Sequence, residues 1–341
     1  MAYPIERKLV VGVSSTALFN LEKEDELFKK NGLEKYRQYQ VENKRTILEK
    51  GLAYPFVKRF LNINKVYSDE KPVEVVLFSK NSPETGIRIF NSIRHYELDI
   101  TRGVFTSGQS PHKYIPAFNI SLFLSTDAID VKNAIQANYP AGIFIKTTVV
   151  DDIDETELRV AFDFDGVLAD DEAEKIFKNS GLKKYHEYET RHAKTPHHPG
   201  LLADFFKKLS FFQKLESKKQ EKDSSYKKII KTAIITARNA PAHERAITTL
   251  NSWGVTVDDM FLLGGIDKRG ILDTIKPHLF IDDQKVHLDN SLKNIPLVHI
   301  PFGISNADGN DPKKSLISTP PKKKQINTTK NKKTRAKKNE N

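Results

Sequence analysis

The chain has 341 residues, 38% of them hydrophobic and 29% charged, and no cysteine. That length and composition predict a globular chain of about two domains; they exclude disulfides, thiolate nucleophiles and cysteine-ligated zinc. The net charge of +11 is uneven: from Asn306 onward eleven Lys and Arg face three Asp and Glu, a net +8, which leaves +3 for everything before it.

No apolar run reaches the roughly 18 residues that span a bilayer. Residues 1–13 lack the apolar segment and small-residue cleavage site of a signal peptide. No membrane attachment and a cytoplasmic location are therefore expected. In chain order, short apolar runs predict strands at 9–13 and 73–78, a helix at 84–96, and strands at 121–124, 158–162 and 232–235. A helix at 242–253 and a strand at 279–281 complete the series. The alternation predicts an α/β fold, a mainly parallel sheet with helices on both faces joined by right-handed crossovers. The tail, 306–341, is rich in Lys, Asn, Thr and Pro and almost free of apolar residues. It cannot bury enough surface to offset chain entropy, and disorder is expected. Such a tail can bind nucleic acid weakly by counterion release, although a solubilising extension is the plainer reading of a charge run.

The body reads as two similar halves. Phe28-Lys29-Lys30-Asn31-Gly32-Leu33-Glu34-Lys35-Tyr36 resembles Phe177-Lys178-Asn179-Ser180-Gly181-Leu182-Lys183-Lys184-Tyr185, and the same offset sets Ser14 on Asp163 and Thr16 on Asp165. Asn81-Ser82-Pro83 pairs with Asn239-Ala240-Pro241, and Leu122-Phe123-Leu124-Ser125-Thr126 with Leu279-Phe280-Ile281-Asp282-Asp283. Three matches in one order predict a duplicated α/β unit. The first copy has lost its carboxylates: Ser14, Thr16, Ser125 and Thr126 stand in their places, and Phe78 falls on Thr236. Its segment 106–111 is a candidate anion cradle of backbone N–H groups, and so a candidate regulatory nucleotide site; a pure scaffold is the favoured alternative.

Four motifs in the second half carry chemistry. In Val160-Ala161-Phe162-Asp163-Phe164-Asp165-Gly166-Val167 an apolar strand runs into two carboxylates spaced by two. In extended chain these point to one side, at the carboxyl end of a strand where open α/β sheets bind ligands. Ile234-Ile235-Thr236 ends a second strand in a hydroxyl able to donate to a phosphoryl oxygen. Lys268 follows Gly264-Gly265-Ile266-Asp267 and supplies a positive charge; Leu279-Phe280-Ile281 ends in Asp282-Asp283. Carboxylates converging at strand ends raise one another's pKa values. A hard dication relieves that, and Mg²⁺ suits a few carboxylates plus a substrate phosphate. Taken singly, each residue is an ordinary turn, cap or surface group; the full set in order favours a site.

This set is similar to the four motifs of the haloacid dehalogenase superfamily over most of 158–303. That resemblance implies Asp163 as nucleophile forming an aspartyl-phosphate and Asp165 as general acid and base. Thr236 and Lys268 would hold the phosphoryl oxygens. Mg²⁺ would lie on Asp163, the Asp165 carbonyl and one of Asp282 and Asp283, with the choice between that pair open. Over 8–302 the chain resembles the cytosolic 5′-nucleotidase I family. Val13-Ser14-Ser15-Thr16-Ala17-Leu18-Phe19, Tyr54-Pro55-Phe56-Val57-Lys58, Asn91-Ser92-Ile93-Arg94-His95-Tyr96 and Ser107-Gly108-Gln109-Ser110-Pro111 carry that likeness in the first half. Ser252-Trp253-Gly254 and Phe280-Ile281-Asp282-Asp283-Gln284 carry it in the second. The family implies hydrolysis of nucleoside 5′-monophosphates, AMP prominent among them. The motif Asp163-Phe164-Asp165-Gly166-Val167 is closer to the general superfamily form than to the small residues expected between and after the aspartates in this family, which bears on base preference.

The resulting domains are 1–150, a degenerate half; 151–305, a catalytic half with a helical cap at about 170–228; and the tail. A base pocket needs an aromatic stack and a few polar contacts. The cap offers Tyr185, His186, Tyr188, His192, His197, His198 and Phe205. The histidines at 192, 197 and 198 lack ligand spacing and are read as surface or substrate contacts. Arg238 is placed at phosphate or ribose, a carboxylate partner being the alternative, and Asn239 is taken as a further substrate contact. Rival functions are a phosphatase of another small phosphomonoester, such as a sugar phosphate, and a nucleic-acid-binding protein acting through the tail. Homo-oligomerisation is left open.

Overall fold

The stretch Val73–Ser79 reads VEVVLFS and is buried along its whole length, as are Leu9–Ser14 and Ile120–Ser125. Strands apolar toward both faces belong inside a parallel sheet covered by helices. The computed structural model, which describes residues 5–152, 154–289 and 292–306, has that fold. The first half contains β1 (Leu9–Ser14), α1 (Ser15–Leu18), β2 (Phe19–Asn20), α2 (Glu22–Glu42), β3 (Glu49–Lys50) and α3 (Tyr54–Val66). It continues through β4 (Val73–Ser79), α4 (Gly86–His95), β5 (Arg102–Phe105), β6 (Ile120–Ser125), α5 (Ala128–Gln136) and β7 (Ala141–Phe144). The second half contains β8 (Leu158–Phe162), α6 (Glu172–Arg191), α7 (Ala203–Lys222), β9 (Ile230–Thr236) and α8 (His243–Ser252). It ends with β10 (Asp259–Leu262), α9 (Arg269–Ile275), β11 (Leu279–Asp282) and β12 (Leu297–His299). The six strands and two helices expected from sequence lie within two residues of these bounds.

Among the described residues, ten strands form one sheet in the order β10-β9-β8-β11-β12-β7-β6-β1-β4-β5. All neighbours run parallel except β7 and β12, which meet antiparallel through Val298 opposite Phe144 and His299 opposite Ile143. Read outward from that seam, β7-β6-β1-β4-β5 and β12-β11-β8-β9-β10 have the same order. One apolar core runs through both: Val11, Val13, Leu122 and Leu124 join Leu158, Phe162, Ile281 and Val298. Each fully buried large side chain there contributes about 1.5–3 kcal/mol.

Two local features recur between the halves. Helix α2 breaks at Gly32 (φ 77°, ψ −178°) and α6 at Gly181 (φ 76°, ψ 175°), a backbone region open essentially to glycine alone. Beside each break an exposed phenylalanine meets a buried tyrosine edge-on: Phe28 with Tyr36, and Phe177 with Tyr185.

The span 170–228, expected to be a helical cap, divides in two. Helix α6 buries few residues, whereas α7 turns Phe205, Phe206, Leu209 and Phe212 into the core. The Phe206 ring meets that of Phe162 at 5.3 Å, so α7 packs on the sheet as part of the crossover from β8 to β9. Phe205 is thus a core residue, not a pocket aromatic. Asn306 is described, but the rest of the expected tail, 307–341, lies outside the described residues.

Candidate active site

Strand β8 ends at Phe162, and Asp163 continues it by donating its N–H to the Ile281 carbonyl at 2.8 Å. Phe164 is wholly buried, which leaves Asp163 and Asp165 on the other side of the chain. Gly166 then turns with φ +74°; a Cβ there would stand 2.5 Å from Asp283 Oδ2. Glycine at 166 is required twice, by its backbone angle and by the carboxylate lying over it. Strand β11 delivers Asp282 and Asp283, both fully buried.

Ligand atoms of Asp163, Asp282 and Asp283 all lie within 4.8 Å of one another. Lys268, buried at the start of α9, bridges two of them, with Nζ 2.9 Å from Asp163 Oδ1 and 2.7 Å from Asp282 Oδ2. Asp282 also accepts from the Gln284 N–H at 2.8 Å and lies 3.0 Å from His287 Nδ1. Burial alone would raise the Asp282 carboxyl, but Lys268 and His287 hold it down at about 2. Asp163 is pushed up to about 7, first by burial and then by the Asp282 and Asp165 charges, against the pull of Lys268. Asp283 goes furthest, to about 10, through burial and the charges of Asp163, Asp282 and Glu174. Neither of its carboxylate oxygens has a hydrogen-bond partner. Two buried, unpartnered oxygens beside a second carboxylate are short of positive charge, and a divalent cation supplies it. The residues therefore fit a metal ion on Asp163 and Asp283, with Asp282 already occupied by Lys268.

Thr236 closes β9, and its Oγ1 accepts the Arg238 N–H at 3.2 Å. Arg238 clasps Asp165 with two bonds, Nε to Oδ2 at 2.7 Å and Nη2 to Oδ1 at 2.6 Å. Of its two readings, the carboxylate partner is the one present. The guanidinium is itself held by Glu189, by the Ala242 carbonyl at 3.0 Å and by His197 Nε2 at 2.9 Å. His197 is therefore a buried member of this network and not a surface residue. It also forms a carboxylate-rich group with Asp170 and Glu172. Its Nε2 also lies 3.3 Å from Glu189 Oε2 and its Nδ1 faces Asp170 at 3.8 Å, so Arg238 and two carboxylates surround the ring and make this group part of the ion-pair network.

The remaining substrate candidates separate. His186 Nε2 lies 2.9 Å from Asn239 Oδ1, and the Gly264 backbone packs against the Asn239 side chain. Tyr185 is buried, with Arg238 5.9 Å from its ring. Tyr188 engages Glu172 at 2.8 Å, stacks on His192 and lies near Arg245, so its contacts are away from the carboxylate cluster. Glu189, His287, Glu174, His299 and Asn306 were not singled out by sequence. None belongs to a short motif; His287 matters through Asp282 five residues before it, and the others through partners further along the chain.

The match to known proteins is extensive. The family model for 5′-nucleotidase covers residues 1–307. The chain belongs to the cytosolic 5′-nucleotidase I family. It is 34% identical over 289 residues to cytosolic 5′-nucleotidase 1B of Homo sapiens, which covers 83% of this chain and 47% of the relative. The chain thus spans about half the length of the curated relative it matches. No solved structure matches it.

The first half places hydroxyls where the second has charges. Thr126 donates to Thr16 at 2.6 Å, and Ser14 lies 3.1 Å from Thr16, so these groups satisfy one another. Strand register corrects one pairing. Val13 stands opposite Leu77, and Phe162 opposite Ile234, which sets Ser79 rather than Phe78 at the place of Thr236. Ser79 Oγ accepts the Asn81 N–H at 3.2 Å, as Thr236 does that of Arg238. The expected anion cradle at 106–111 is also corrected. The N–H groups of Thr106, Ser107, Gly108 and Gln109 all donate to backbone carbonyls and so are already engaged within the fold.

Proposed function

We propose that this chain hydrolyses nucleoside 5′-monophosphates, AMP-like ones among them, to nucleoside and phosphate by haloacid dehalogenase chemistry. The observation that carries the reading is the cluster of Asp163, Asp282 and Asp283 bridged by Lys268, with Thr236 on the adjacent strand end. The human relative, a cytosolic 5′-nucleotidase by name, supports the substrate class. A cytosolic place follows the same name; no helix among the described residues is long and apolar enough to cross a membrane.

Asp163 Oδ attacks phosphorus, the bond from phosphorus to the 5′ oxygen breaks, and Asp165 gives the leaving oxygen its proton. Asp165 then takes a proton from water, which attacks the aspartyl-phosphate; phosphate leaves and Asp163 is restored. Lys268 and Thr236 hold the phosphoryl oxygens. Both Asp165 oxygens are bound to Arg238, so acid and base work requires substrate binding to free at least one. Mg²⁺ would be held by Asp163 and Asp283 with the Asp165 carbonyl, and when bound it neutralises charge on the phosphoryl group. Asp282 serves by fixing Lys268.

The matching strand orders, the paired breaks at Gly32 and Gly181, and the left-handed pairs Ser107-Gly108 and Gly264-Gly265 support an origin of both halves in one duplicated unit. The first half then acts as scaffold. Within 170–228, α6 and the segment after it cover the site, while α7 belongs to the sheet layer.

Phosphate release from AMP, IMP, deoxynucleoside monophosphates and glucose 6-phosphate, with Asp163→Asn beside wild type, tests this. Release from nucleotides that Asp163→Asn abolishes is expected. Preference for glucose 6-phosphate would move the substrate to sugars, and full activity in Asp163→Asn would remove the mechanism.

A further inference from the structure

After β12 the chain runs from His299 to Asn306, bonding to the Asp283 backbone and to the first turn of α6. His299 is buried, and its Nε2 lies 2.9 Å from the Asp283 carbonyl and 3.0 Å from Asn306 Oδ1. Both partners are acceptors, so Nε2 carries the hydrogen and shares it between them. Asn306 Nδ2 donates to the same Asp283 carbonyl at 2.8 Å and to the Phe302 carbonyl at 2.8 Å. Every polar function of the Asn306 amide is thus used, and the Asp283 carbonyl receives two donors. The other end of Asp283 lies over Gly166, its carboxylate oxygens unpartnered.

The same segment grips the first turn of α6. The Ile304 N–H donates to Asp171 Oδ2 at 2.7 Å, and Gly303, at φ +78°, packs against that side chain. Ser305 bonds Glu174 and accepts from Lys178 at 2.7 Å. Gln284, next to Asp283, reaches Glu174 at 3.2 Å.

We propose that residues 299–306 are a strap in which Asn306, with His299, is a positioning residue for Asp283 and sets the affinity of the site for its divalent cation. This rests on the metal reading of Asp163 and Asp283 above. Groups that orient a ligand without touching the metal typically change its affinity about 10–100-fold. The strap also places the boundary of the functional unit after Asn306 and not before it, although by sequence Asn306 opens the basic tail.

Mn²⁺ titration followed by electron paramagnetic resonance tests the proposal, on full chains carrying Asn306→Ala or Asn306→Asp and on chains ending at Ala307 or at Ser305. Asn306→Ala and the chain ending at Ser305 should bind Mn²⁺ at least about 10-fold more weakly than wild type. Asn306→Asp, which turns a donor into an acceptor facing two carbonyls, should bind no better. The chain ending at Ala307 should match wild type. In steady state the metal concentration for half-activation should rise likewise, with kcat at saturating metal and KM for AMP within about two-fold. Melting temperatures in EDTA should be unchanged, and the rise on adding Mn²⁺ should shrink. Equal Mn²⁺ affinity in wild type and Asn306→Ala would overturn the strap, as would a loss of melting temperature in EDTA as large as the loss of the Mn²⁺ effect. A wild-type chain that binds no Mn²⁺ would overturn the metal reading and the strap with it.

Discussion

Asp282 and Asp283 are neighbours of identical chemistry whose surroundings divide the work between them. Asp282 meets Lys268, His287 and a backbone N–H, and stays ionised; Asp283 meets no donor at its carboxylate and is pushed to about 10. Asp283→Asn is therefore expected to weaken Mn²⁺ binding by about 100-fold or more. Asp282→Asn should change it far less and lower kcat, since Lys268 loses its anchor; Mn²⁺ titration with steady-state rates separates the two. A second residue-scale expectation lies at the opposite end of the strands. His278 is buried, its Nδ1 accepting the Arg159 N–H at 3.1 Å. Burial, then the charges of Arg59 and Arg159, pushes it down to about 3. The unfolded chain takes up that proton at about pH 6.5 and the folded chain only near 3. Between those values the unfolded state binds more protons, so this group costs stability as pH falls and is neutral above the window. Urea midpoints from pH 7 to pH 4 should fall less steeply for His278→Gln than for wild type; equal slopes would refute the assignment.

At the scale of elements, α6 links the cover of the site to its chemistry. Its Glu189 is buried between Arg238 and Arg245, and Arg238 clasps Asp165. The helix reaches these positions through its break at Gly181, where a Cβ would meet nothing within 4 Å and the constraint is purely one of backbone angle. Gly181→Ala is expected to destabilise the protein by about 1–3 kcal/mol, and Gly32→Ala by a similar amount, read from urea unfolding. A neutral Gly181→Ala would mean that α6 straightens without cost. Sequence placed both glycines in the repeated segment, but their spacing alone does not distinguish a helix break from a loop.

At the scale of the whole molecule, the sheet is continuous across the β7–β12 seam, and one core draws on both halves. Either half alone would expose that core, so residues 1–150 and 151–307 produced separately are expected not to give cooperative thermal unfolding, whereas 1–307 should. Cooperative melting of an isolated half would contradict a shared core. The site itself draws on β8, β9, β10 and β11 with the segments that follow them, all in the second half.

The α/β class, the six principal strands and the chemically marked residues Asp163, Asp165, Thr236, Lys268, Asp282 and Asp283 were legible in the chain, because apolar runs and strand-end motifs are local patterns that periodicity and spacing reveal. Folding alone assigned the partners. It gave Asp282 to Lys268 and left the Asp283 carboxylate buried without a hydrogen-bond partner, paired Arg238 with Asp165, drew α7 under the sheet and tied Asn306 to the Asp283 carbonyl. Each of these depends on contacts between residues far apart in sequence, where burial and charge act through space and leave no trace in local composition.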